Sequence, residues 1–210
     1  MAIKINLPSK DILKQSDLTG KMLHIPSLST SPMNNSNCIK NRKIKDSICS
    51  SCFAVTGCKM YSNLDKMLLK NSETLSKKQD FSEFKTNTIY YRFESHGDLI
   101  NSEHLDNLVR IAKNNPQTKF ALWTKLYKIT EKYFSIETKP ENLQVLYSSL
   151  MKNKQLNINK FKYADKIFTV YEKQYLKETN VDVNCGAKDC FTCGLCYNRN
   201  DTQYITEIKK

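Results

Sequence analysis

The chain has 210 residues, 40% hydrophobic and 26% charged, enough to bury one core and marginal for two. Its net charge of +12 favours a polyanionic partner, nucleic acid first, over an acidic protein, with a plain solvated lysine surface as the competing reading. No stretch nears the roughly 20 apolar residues of a spanning helix, and Met1-Ala2-Ile3-Lys4-Ile5-Asn6-Leu7-Pro8 lacks the apolar run of a signal peptide, so no membrane and a cytoplasmic location are expected.

Taken in order, Lys21 to Leu28 reads as a first strand. A polar loop follows from Ser29 to about Ile48, carrying Cys38, and its Ser, Asn, Lys and Pro content needs an anchor in order to pack. Tyr61 to Lys78 reads as a helix, with Tyr61, Leu64, Leu68 and Leu75 at helical spacing. Thr88 to Glu94 is β-branched and aromatic, hence a strand. Ser102 is placed to cap a helix through Asn114, which Pro116 ends.

Lys119 to Thr124 is the next strand, Thr130 to Glu137 a short helix, and Asn142 to Ser148 and Lys166 to Tyr171 two further strands. Val181-Asp182-Val183 reads as a last short one. Strands alternating with helices predict an α/β fold: a partial (β/α) barrel or an open, curved, mostly parallel sheet, since a full eight-stranded barrel takes about 250 residues. A single domain over 1–210 is expected, with a cysteine loop at 29–60, a βα core at 61–184 and a second cysteine loop at 185–197.

The cysteines carry the strongest signal. Cys185, Cys190, Cys193 and Cys196 stand in a C-x4-C-x2-C-x2-C pattern, four thiols in twelve residues. Cys38, Cys49, Cys52 and Cys58 form a second group, and together the two groups hold all eight cysteines of the chain. In a reducing compartment such clustering points to metal rather than disulfides. The spacing suits two iron–sulfur clusters, 4Fe-4S first, with tetrahedral zinc as the alternative. The compact second set is expected to form a closed centre. The first set spreads through a longer loop and is expected to form the centre with an open position.

In parallel βα folds chemistry gathers at the carboxyl ends of strands. There the chain places Glu94-Ser95-His96-Gly97-Asp98, then Lys125, then Ser148. Glu94, His96, Asp98 and Lys125 are the candidate catalytic residues, and Ser95, Gly97 and Ser148 the candidate cofactor contacts. The competing reading of Glu94 to Asp98 is a strand-to-helix turn whose carboxylate caps backbone amides. His24 and His104 are expected to have no role, His104 on a helix surface. Phe120 and Tyr90 are assigned to the core, while Trp123 and Tyr197 stay open between core packing and base stacking.

Several of these segments resemble the phage "gene product 88" family in order: Lys21-Met22 with Ile25-Pro26, Cys38, Cys49-Ser50-Ser51-Cys52-Phe53-Ala54, Arg92 to Asp98, Phe120 with Thr124-Lys125, and Cys190 to Tyr197. Phe53 stands where that family has tyrosine, and His96 where it has serine. The resemblance implies a phage or mobile-element source, hence the host cytoplasm, and a host protein as a further class of partner. A more distant resemblance is to radical S-adenosylmethionine enzymes, which carry a cluster loop after the first strand and a small-residue–acid segment after the second. It implies S-adenosylmethionine as a cofactor; the departure is that Cys38 precedes Cys49 by eleven positions. Three functions follow: a radical-enzyme-like iron–sulfur protein acting on nucleic acid or nucleotides, an iron–sulfur nuclease, or a zinc-stapled binding module or host inhibitor.

Overall fold

A computed structural model describes residues 13–17 and 20–209; the Met1 to Pro8 segment lies outside them. Among the described residues seven strands form one sheet: β1 (Ser16–Asp17), β2 (Pro26–Leu28), β3 (Tyr90–Phe93), β4 (Lys119–Thr124), β5 (Leu143–Ser148), β6 (Lys166–Tyr171) and β7 (Tyr204–Ile208). They lie side by side in sequence order. β1 runs antiparallel to β2, and the six strands β2 to β7 are all parallel. Sequential order is that of a barrel wall, whereas doubly wound sheets reverse direction at a switch point. The sheet stays open, with β1 and β7 as its edges.

Among the described residues seven helices connect the strands: α1 (Ser36–Arg42), α2 (Phe53–Met60), α3 (Ser62–Leu75), α4 (Ser102–Lys113), α5 (Tyr127–Phe134), α6 (Lys173–Glu178) and α7 (Cys190–Cys193). The two faces of the sheet follow from the two-residue period of strand side chains. Tyr91 and Phe93 of β3, Phe120 and Leu122 of β4, and Val145 and Tyr147 of β5 pack on one face against Leu75, Leu105, Leu108 and Phe134. Ala121, Leu146 and Ile205 face the other way and meet Trp123, Phe168, Tyr197 and the chain around Cys185, Cys190 and Cys196. The C-terminal cysteine loop thus covers the face that, in a closed barrel, layers of strand side chains would fill.

Several boundaries differ from the expected ones for local reasons. The first strand shrinks to Pro26–Leu28, because a 3₁₀ turn occupies Gly20–Met22 and His24 adopts a left-handed φ of 69°. The loop after it contains α1, which Asn35 starts by accepting hydrogen bonds from the amides of Asn37 and Cys38. Asn101, not Ser102, caps α4. α5 begins three residues early, at Tyr127. Residues 181–183 form no strand. β7 holds that sheet edge instead, and the Asn184 carboxamide bonds both ways to the backbone of Tyr204 and Thr206 in place of a strand ladder. His104 is fully buried rather than on the surface.

Candidate functional site

A cleft of about 590 Å³ opens at the carboxyl edge of the parallel strands. Seven of the eight cysteines line it: Cys38, Cys49 and Cys52 from the N-terminal group, and Cys185, Cys190, Cys193 and Cys196 from the C-terminal one. Cys58 does not. Its thiol is buried within α2, which packs on α3, and burial followed by the neighbouring Asp65 carboxylate pushes its pKa up to about 11. All eight thiols are free. Among the described residues, no three His, Cys, Asp or Glu side chains converge on one ion position.

The N-terminal thiols are held by polar contacts. The Asn35 amide donates to the carbonyls of Asp98 and Leu99 at 2.8 and 3.0 Å, tying the start of α1 to the loop after β3. Ser47 caps the turn that carries Cys49, and the Ile48 amide donates to the Leu150 carbonyl at 2.9 Å, beyond β5. This polar network supplies an anchor of the kind the loop's composition calls for.

The C-terminal thiols sit on apolar packing. Lys21 Nζ donates to the Cys185 carbonyl at 3.0 Å and lies 3.3 Å from its sulfur. Asp189 caps α7 through the Thr192 amide at 2.7 Å. Gly194 ends the helix with φ +58°, where an added Cβ would lie 2.5 Å from Asn198 and 2.6 Å from the Tyr90 hydroxyl. Burial raises Cys38, Cys49, Cys185 and Cys190, and pushes Cys196 to about 12 against the pull of Arg92. Any metal that takes these five sulfurs as thiolates must displace their protons.

All of Glu94, Ser95, His96, Gly97, Asp98, Lys125 and Ser148 border the same cleft. The segment from Glu94 to Asp98 is also a joint between strand ends. Glu94 has a left-handed φ of 59° and is almost fully buried. One of its carboxylate oxygens accepts from the Thr30 hydroxyl at 2.7 Å, and the other lies 3.3 Å from His104 Nε2. His104 Nδ1 accepts from the Ile100 amide, which places the imidazole proton on Nε2, toward Glu94. Burial raises the Glu94 pKa, partly offset by His104 and Thr30.

Asp98 accepts from the Thr124 hydroxyl at 2.6 Å and from the amides of Lys125 and Leu99 at 3.0 and 2.8 Å, so β3 is laced to β4. Ser95 bonds to Ser27 and Ser29 at 2.9 Å each, and its Oγ lies 3.1 Å from His96 Nδ1. Gly97, with φ +74°, lets the Thr30 carbonyl approach to 2.4 Å from where a Cβ would stand. His96 meets Phe53 edge-on at 5.6 Å, next to Cys52. Ser148 accepts the Tyr127 hydroxyl at its carbonyl. The Lys125 backbone is fixed by Asp98, and its side chain lies near Cys38 and Cys49, whose ionised forms it favours.

Arg92 was not among the expected site residues. Its guanidinium stacks 3.9 Å from the ring centre of Trp123, and Nη1 lies 3.1 Å from the Met22 sulfur. The signal was present: Arg92 is a charged residue on the same strand face as Tyr90, two residues away, inside an otherwise apolar strand.

No helix among the described residues is long and apolar enough to cross a membrane. No curated protein and no solved structure matches the chain. The family model "Gene product 88" matches residues 4–205, nearly the whole chain and all of the cleft up to Ile205, and the chain therefore belongs to this family of phage gene products.

Proposed function

We propose that this chain is an iron–sulfur protein with two clusters facing one cleft, the N-terminal one open to a small molecule. The observation that carries this reading is the division of the cysteines: three thiols of the first group and four of the second border the cleft, while Cys58 turns into the α2–α3 packing. Three ligands leave a coordination position vacant on a cluster, and vacant positions are where metal centres do chemistry. Four ligands close a centre and suit structure or electron relay.

Cys38, Cys49 and Cys52 would hold the first cluster and Cys185, Cys190, Cys193 and Cys196 the second. Tetrahedral zinc needs its sulfurs about 3.8 Å apart, from Zn–S distances of about 2.3 Å. A four-iron cluster spreads its thiolates more widely, so the two metals ask different spacings of the same sulfurs, and zinc is the alternative for either group. Such a cluster supplies single electrons. Around it, Asp98 and Glu94 position the loops, His96 offers an imidazole beside Phe53, and Lys125 and Lys21 offset thiolate charge. The sequential parallel strands, with a cluster loop after the first and an acidic loop after the second, support a radical-enzyme-like reading in which S-adenosylmethionine occupies the open position.

Purification without oxygen tests the proposal. The protein is expected to be brown, with iron and acid-labile sulfide in equal amounts. S-adenosylmethionine added to the reduced protein should perturb the magnetic resonance signal of the N-terminal cluster alone. Colourless protein with stoichiometric zinc contradicts the iron–sulfur reading.

A further inference from the structure

We propose that Arg92 anchors a carboxylate or phosphate group of a small molecule held in the cleft between the two cysteine groups; this rests on the reading of that cleft as a ligand site. The inference starts from an orphan donor. Arg92 Nε is buried and, among the described residues, has no hydrogen-bond partner. Among the described residues its neighbour Nη1 has only the Met22 sulfur, a weak acceptor, at 3.1 Å. Among the described residues the guanidinium makes no ion pair. A buried donor left without an acceptor is costly, more so when it carries charge.

Position adds to this. Arg92 lines the cleft from β3, between the residues of the two cysteine groups that border it. The Trp123 ring fixes the guanidinium plane from below, so the fork stays oriented without a protein carboxylate. The nearby carboxylates do not compete. Glu94 is engaged with Thr30 and His104, and Asp98 with Thr124, Lys125 and Leu99. A planar fork with a free Nε is the donor set that takes a carboxylate or phosphate through two parallel hydrogen bonds. Lys125, at the end of the next strand, supplies a second cation to the same cleft.

Equilibrium dialysis of the anaerobically purified protein against radiolabelled inorganic phosphate, and separately against radiolabelled acetate, tests the proposal and separates the two anion types. One saturable site per chain is expected for at least one probe. Arg92→Gln should weaken it by about tenfold or more, the usual effect of removing a hydrogen bond to a charged group. Arg92→Lys keeps the charge, loses the fork and should also bind more weakly, which preserves the test if the glutamine variant does not fold. Lys188→Gln, on the exposed part of the C-terminal loop, should bind as the parent does.

Metal content and the visible spectrum are read on the same samples. Loaded, brown protein that binds neither probe, or binds equally well without Arg92, overturns the anion site and leaves the cluster reading standing. Colourless protein that binds an anion through Arg92 upholds the site and removes the clusters.

Discussion

The two cysteine loops are anchored by different physics. The C-terminal loop, with Tyr197 at its end, lies on the sheet against Ala121, Leu146 and Ile205, so apolar burial fixes its thiols. The N-terminal loop hangs from the end of β2 on polar ties, Asn35 to the carbonyls of Asp98 and Leu99 and the Ile48 amide to Leu150. It also gives up one of its four cysteines, Cys58, to helix packing. A loop set by burial suits a closed, fixed centre. A loop set by hydrogen bonds to the acidic segment after β3 couples its thiols to whatever occupies the cleft.

The largest effect expected on this contrast comes from Gly97→Ala. The new Cβ would lie 2.4 Å from the Thr30 carbonyl at a φ of +74°, so backbone strain and overpacking add. A loss of about 3 kcal/mol, roughly 10 °C in melting temperature, is expected. Because Thr30 and Gly97 join β2 to β3, metal should leave the N-terminal centre before the C-terminal one on heating. Simultaneous loss from both would break the contrast.

Next come two cysteines of the same group. Cys38→Ser is expected to cost the N-terminal centre its metal. Cys58→Ser should leave metal content at the parent level and lower stability by only about 1 kcal/mol, as for a buried polar group with a partner nearby. Metal analysis with urea unfolding of both variants decides it, and equal metal loss would restore Cys58 as a ligand.

The smallest effect concerns Glu94, whose carboxyl is raised by burial. It binds its proton more tightly when folded, so above the ordinary value of about 4.3 the native state holds more protons than the unfolded chain. Its contribution is full below that value and is lost as pH rises through the raised one. Urea midpoints of Glu94→Gln measured from pH 4 to 8 should therefore decline less with pH than those of the parent. A slope as steep in the variant would place the dependence elsewhere.

Much of this architecture is legible in the residues. β4 and β6 match their expected bounds, and the β-branched and aromatic run from Thr88 to Glu94 marks β3. The strand-end rule brings Glu94 to Asp98, Lys125, Ser148 and seven cysteines to one cleft. What escapes sequence reasoning depends on distant partners. His104 looks like a helix-surface residue until Glu94 is placed against it at 3.3 Å. Cys58 has the spacing of a ligand, and only the packing of α2 on α3 shows that it is buried away from the cleft. Arg92 needs Trp123, and a buried Nε without a partner among the described residues, to be noticed. β7 lies past the last cysteine, where Tyr204 to Ile208 alternates too briefly to stand out.

The central claim is that the two groups form separate centres opening on one cleft. Iron per chain in the triple variant Cys38→Ser, Cys49→Ser, Cys52→Ser, purified without oxygen beside the parent, tests it most directly. Two four-iron clusters predict about eight irons in the parent and about four in the variant, with the C-terminal spectrum retained. A variant stripped of all its iron, or one that keeps the full parental amount, would contradict the account.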